Sequence, residues 1–308
     1  MSRSSDAVSS RSMPLGQVRV GLLAGLAAFI TWGFFPLYLS WIDASVSPLE
    51  ILAHRILWTA VMLGAAAIAL GRTPWLRRAW ASPRRLATLA LSALLVGTNW
   101  GTFIWAVAHH RVIETSLGYF INPLLNVALG FVFLGERLRR PQWLAVALAV
   151  AGVAFVLVMH GRLPWTALLV AGSFGTYGLV RKQLDVDALT GLLTETLLLS
   201  PLAIAALVWL SAHGALSFGL DAPRTDMLLF GAAIFTVVPF TAFAVAAQRL
   251  RLASVGLLQY ITPTLHFLTG ILILGEPLDS AQFITFVLIW IGLAIYTHDL
   301  WRHRPAPA

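Results

Sequence analysis

The chain has 308 residues, 58% of them hydrophobic and 11% charged, with a formal net charge of +8 and no cysteine. Soluble domains carry about a quarter charged residues, so the composition excludes an ordinary water-soluble globule. The missing cysteine excludes disulfides, Fe–S ligation and thiol nucleophiles.

Residues 1–18 are polar and rich in Ser and Arg, and read as a disordered tail. Apolar stretches follow at about 20–42, 48–70, 87–108, 115–134, 141–159, 163–180, 188–210, 226–247, 253–274 and 281–300. A crossing needs roughly 20 such residues, so the expected fold is an all-α polytopic membrane protein of ten transmembrane helices. The first stretch is too long for a signal-peptide core and lacks a small-residue cleavage site, so it reads as a retained span. Residues 301–308 read as a second short tail.

The second stretch opens with Ser47-Pro48-Leu49-Glu50, a capping box with proline at the first helical position. Capping and a transport role therefore compete for Glu50. Arg55 lies about eight residues beyond Ser47, and Glu195 about eight beyond Asp187, on the order of 12 Å into their helices. An ionisable group at depth costs roughly 2.5–3.5 kcal/mol and usually faces a cavity or a partner. Arg55 and Glu195 are expected to be buried and to line or flank a pathway, with a structural ion pair as the rival reading. Glu195 and, less directly, Glu50 are the carboxylates available for proton coupling.

In the third stretch, Asn99 and Trp100 offer a polar handle beside an apolar wall; core packing is the alternative for Trp100. Pro123 and Pro263 fall near the middle of the fourth and ninth stretches, where each would free the carbonyl four residues earlier, at Tyr119 and Gln259. In hydrocarbon such a carbonyl must face protein or a water-filled cavity. Polar neighbours of the two prolines are Tyr119, Asn122, Asn126, Gln259, Tyr260, Thr262, Thr264 and His266. Matched interruptions in two halves point to a transport site, against the plainer reading of kinked, packed helices.

His109 and His110 are adjacent and point about 100° apart on a helix, so they cannot clasp one metal. Lys182 is the only lysine, in a setting unlike a Walker A loop. No metal, cofactor or ATP site is expected. The fifth stretch carries Ala145, Ala147, Ala149, Ala151 and Gly152, small residues that suit close helix contact within a monomer or across a homodimer.

Basic residues in the short connections decide orientation. With the N-terminus inside, 17 fall on the inner side and Arg111, Arg162 and Arg224 on the outer. Both termini are then cytoplasmic, and the charge is a topology signal rather than a nucleic-acid footprint. An internal repeat runs through the chain. At an offset of 145, Phe29-Ile30-Thr31-Trp32-Gly33 falls on Phe174-Gly175-Thr176-Tyr177-Gly178, and Glu50 on Glu195. At an offset of 140, Pro123, Gly130, Leu134-Gly135-Glu136, Gln142 and Gly152 fall on Pro263, Gly270, Leu274-Gly275-Glu276, Gln282 and Gly292. Five spans separate the copies, so they would be inverted, a transporter architecture. The expected division is 19–160 and 161–300.

The runs Glu50-Ile51-Leu52-Ala53-His54-Arg55, Asn99-Trp100 and Phe103-Ile104-Trp105-Ala106-Val107 resemble RarD-type permeases of the EamA group, in the drug/metabolite transporter superfamily. So do Leu117-Gly118-Tyr119-Phe120-Ile121-Asn122-Pro123, Leu134-Gly135-Glu136-Arg137, Arg249-Leu250-Arg251-Leu252 and Gln259-Tyr260-Ile261-Thr262-Pro263-Thr264-Leu265. The resemblance covers roughly residues 20–300. It implies an inner-membrane protein of two five-helix repeats that moves a small organic metabolite or drug. The partners expected are that substrate and the lipid bilayer. A membrane enzyme acting on lipid-linked substrates and a sensor without flux are the competing classes.

Overall fold

The computed structural model describes residues 15–71, 73–134, 137–219, 223–250, 255 and 258–302. Of the motif residues above, Gly135, Glu136, Arg251 and Leu252 lie outside the described residues, as do positions 1–14 and 303–308 of the two tails.

The elements are α1 (Leu15–Gly33), α2 (Phe35–Leu39), α3 (Pro48–Ala69), α4 (Thr73–Trp80), α5 (Pro83–Ala108) and α6 (Val112–Leu134). They continue with α7 (Arg140–His160), α8 (Trp165–Lys182), α9 (Ala188–Ala212), α10 (Pro223–Arg249), α11 (Ile261–Leu272) and α12 (Ser280–Arg302). No strand occurs among the described residues. Among the described residues seven helices, α3, α5, α6, α7, α9, α10 and α12, are long and apolar enough to cross a bilayer. The remaining apolar stretches are helical in other ways. The first is divided into α1 and α2, α8 has 18 residues and ends in Arg181-Lys182, and α11 has 12. The helical ends also trim the expected tails: α1 already includes residues 15–18, and α12 runs on to Arg302.

Local chemistry explains the boundaries. Ser47, Ser82 and Asp187 each accept a hydrogen bond from the backbone N–H three residues on, at 3.1, 3.4 and 3.1 Å. These side chains satisfy donors that a helix start leaves orphaned. Pro48 and Pro83 stand in first turns, where the absent N–H has no partner to lose. α7 stops at Gly161, whose φ of 62° is left-handed and suits glycine. The first stretch breaks at Phe34 because Pro36 cannot donate to the Trp32 carbonyl.

α7 lies on α12, α3 on α9, α6 on α11, α1 on α10 and α5 on α8. Gly118 lets α6 approach α8 closely, since a Cβ there would meet the Ala167 carbonyl oxygen at 2.5 Å. Outward faces are apolar: Val61, Ile68, Val132, Val158, Leu202 and Leu272 are all exposed. A helix apolar all round suits lipid on one side and protein on the other. Among the described residues inward faces form three clusters, one of which joins Phe35, Ile51, Phe103, Ile104 and Leu229.

Candidate functional site

Where α2, α3, α5, α6, α10 and α11 meet, one cation sits among rings. Arg55, on the third turn of α3, is 4% exposed. Its Nε donates to Thr236 Oγ1 on α10 at 2.8 Å. Its guanidinium carbon lies 4.6 Å from the Phe35 ring centroid and 4.3 Å from that of Trp100. Among the described residues no carboxylate lies within 4.0 Å of it. Rings over a guanidinium attract it through the quadrupole, by about 2 kcal/mol or more when water is excluded.

The rings continue the site. Phe35 stacks at 5.8 Å on Phe103, which lies 6.0 Å from Tyr119 and 5.0 Å from His266. The Tyr119 hydroxyl donates to Asn99 Oδ1 at 3.2 Å, while Asn99 Nδ2 donates to the Val170 carbonyl at 3.1 Å. From α11, His266 Nε2 meets the Trp32 carbonyl at 3.0 Å, and Thr262 Oγ1 donates to the Phe29 carbonyl at 2.9 Å. A carbonyl can only accept, so His266 carries its proton on Nε2. Its Nδ1 is then a buried acceptor without a partner among the described residues. Asn122, fully buried on α6, leaves both its amide nitrogen and oxygen unpartnered in the same sense.

The acidic residues are placed elsewhere. Glu195 is fully buried and accepts from Ser92 Oγ at 2.6 Å and from the Tyr177 hydroxyl at 3.3 Å, with Arg181 Nη1 3.7 Å away. Arg181 can lie there because residue 191 is glycine, and its Nη2 also donates to the Val186 and Asp187 carbonyls. Glu50 is fully buried, and its backbone N–H donates to Ser47 Oγ. Its carboxylate does not fold back to close the expected capping box. It reaches across to accept from the backbone N–H of Ser217 and Phe218, each at 2.9 Å, ahead of α10. A cross-chain pair of donors outcompetes the single local one.

The structure thus brings together Arg55, Asn99, Trp100, Tyr119 and His266, with Thr262 on the same face of α11 as His266. Asn126 is exposed on α6, Gln259 and Tyr260 are half-buried, and Tyr260 packs with the α6, α7, α8 and α12 side chains. Thr264 Oγ1 donates back to the Tyr260 carbonyl at 2.7 Å. The two prolines are not equivalent breaks. Helix α6 runs through Pro123 from Val112 to Leu134, whereas Pro263 is the third residue of α11, after a turn at Tyr260. Residues 258 and 259 are helical ahead of that turn, so the ninth stretch is interrupted beside Pro263, whose missing N–H leaves the Gln259 carbonyl without its ladder donor.

Sequence reasoning missed Phe35, Phe103 and Thr236. The two phenylalanines carry no polar signal, and a lone Thr within an apolar run is common. Pro36, which orphans the Trp32 carbonyl, was also passed over, and nothing local names His266 as that carbonyl's partner. No group of three His, Cys, Asp or Glu that could hold a metal occurs among the described residues.

The EamA-like transporter family model matches residues 19–158 and again 164–297. Protein RarD of Salmonella typhi is 45% identical over 287 residues, covering 93% of this chain and 97% of the relative. A protein of Vibrio cholerae named as an uncharacterized transporter is 45% identical over 286 residues, covering 91% and 92%. A solved crystal structure shares the fold, with a TM-score of 0.59 at 20% identity over 93% of this chain and 99% of that one.

Proposed function

Because the chain belongs to the EamA-like transporter family, we propose that it moves a small organic molecule across the cytoplasmic membrane by alternating access, through the site around Arg55. The observation that carries this reading is a buried cation whose Nη groups have no partner among the described residues, in a ring cluster that also holds His266, where elements of both sequence repeats converge. Phe35, Arg55, Trp100, Phe103 and Tyr119 come from the first repeat, and Thr236 and His266 from the second.

In this reading the chain has ten spans in two inverted halves, 19–160 and 161–300, with α1 and α2 forming one span and α11 part of another. The helix pairing supports it. Equivalent helices of the two halves meet each other, α3 with α9, α6 with α11 and α7 with α12, while the α1–α10 contact is mirrored by α8–α5. A two-fold relation requires that pattern, and exchanging the conformations of the halves would then exchange access to the site. The 17-to-3 split of basic residues supports a cytoplasmic position for both termini. For proton coupling we assign Glu195 rather than Glu50. Its partners include two hydroxyls that can rotate, whereas Glu50 is held by fixed backbone donors.

Purified protein in vesicles loaded with candidate metabolites tests the proposal. Saturable exchange of at least one compound, lost in Arg55→Gln and insensitive to ATP, is the expected result. Chemical conversion of the solute, or binding with no movement, would replace transport by an enzyme or a sensor. Flux that ignores uncouplers, or persists unchanged in Glu195→Gln, would remove the coupling assignment alone.

A further inference from the structure

We infer that the molecule this site takes is an organic monocarboxylate, its carboxylate docked on the two Nη groups of Arg55. The inference rests on the transport reading above and narrows it to a substrate class. A guanidinium offers five N–H donors in a planar fork. In Arg55 the Nε donor is taken by Thr236, and among the described residues neither Nη has a partner. Among the described residues the buried acids are engaged elsewhere: Glu50 with Ser217 and Phe218, Glu195 with Ser92, Tyr177 and Arg181, Glu276 with the backbone of Val112 and Ile113, and Asp299 with Arg139.

A cation deep in a bundle without a counter-ion is costly to keep, and such residues commonly mark the path of a charged substrate. Two rings beside Arg55 offset part of that cost, yet they leave the fork's donors unused. Parallel Nη donors match the two oxygens of a carboxylate. One guanidinium compensates one negative charge, which favours a carboxylate over a phosphate monoester with nearly two. Trp100, Phe35, Phe103 and Tyr119 supply flat apolar surface for the rest of the molecule.

The test uses the full chain in lipid nanodiscs near neutral pH, read by thermal unfolding and tryptophan fluorescence. The probes are matched acids and amides: phenylacetate and phenylacetamide, indole-3-acetate and its amide, hexanoate and hexanamide, 4-hydroxybenzoate and its amide, with phenyl phosphate as a further arm. At least one acid should raise the melting temperature while its amide does not. Arg55→Gln should weaken that acid by about tenfold or more, as loss of a charge-assisted pair implies. Arg55→Lys, which keeps the charge without the fork, should weaken it less.

Amides that match their acids, phenyl phosphate that outcompetes them, or a panel in which no acid binds would overturn the inference. If Arg55→Gln does not fold, the acid–amide comparison on the unaltered protein still decides. Vesicle flux of neutral or cationic solutes separates the two readings. Saturable flux without preference for acids sinks the carboxylate alone, and no saturable flux of any class sinks transport.

Discussion

The imidazole of His266 donates to the carbonyl of Trp32 at 3.0 Å across 234 residues of sequence, and that carbonyl is available because Pro36 has no N–H. A defect in one repeat is thereby satisfied by a side chain from the other, at the edge of the Arg55 site. The same bond holds His266 against Phe103 and Tyr119 and leaves Nδ1 buried without a partner among the described residues.

His266→Ala should destabilise the fold by about 1–3 kcal/mol, the usual penalty for a buried acceptor left unsatisfied. Pro36→Ala restores the missing N–H, so His266→Ala should cost less in that background than in the native chain. Thermal unfolding of the four members of this cycle measures the coupling, and simple additivity would show that the two residues act independently.

Glu195 and Arg181 should behave as a buried pair. Glu195→Gln keeps hydrogen bonds to Ser92 and Tyr177, so it should fold and serve for transport assays. Glu195→Leu removes them and leaves Arg181 near an apolar wall, with an expected loss of about 3–5 kcal/mol. The double variant Arg181→Met/Glu195→Leu should recover much of that loss, as measured by denaturation in detergent.

Glu50 ties α3 to the segment before α10 through two backbone donors. Glu50→Ala should cost about 1.5–3 kcal/mol for each charge-assisted bond lost. Glu50→Gln retains one acceptor oxygen and should lose about half as much. Hydrogen exchange at the Ser217 and Phe218 amides reads this directly, and protection unchanged in Glu50→Ala would refute the tie.

The Asn122 side chain makes no hydrogen bond among the described residues despite full burial, so Asn122→Leu should leave stability unchanged or raise it slightly. If the residue faces the substrate, the same variant should lose flux. Loss of both folding and flux would instead mark a structural amide.

Gly118→Ala should loosen the α6–α8 seam, because its Cβ would sit 2.5 Å from the Ala167 oxygen, and rigid backbone cannot yield as a side chain can. Overpacking of this kind costs about 1–3 kcal/mol. The melting temperature reports it, and an unchanged value would show that the seam can open.

Helical segments from apolar runs, two of their starts at Ser47 and Asp187, and the repeat from two fixed offsets are one-dimensional in origin and could be read from residue order. Burial of Arg55 and Glu195 was also legible, because depth along a helix is a count of residues. The tertiary structure alone decided which polar groups meet. The signals at Glu50, Pro123 and Pro263 were local, and local rules gave a closed capping box and matched breaks. Glu50 instead turns to Ser217 and Phe218, donors more than 160 residues away, and α6 runs unbroken through Pro123 whereas the ninth stretch turns at Tyr260. Phe35, Phe103 and Thr236 entered the site the same way: nothing in their own neighbourhood distinguishes them, and only helix packing places them beside a charge in need of company.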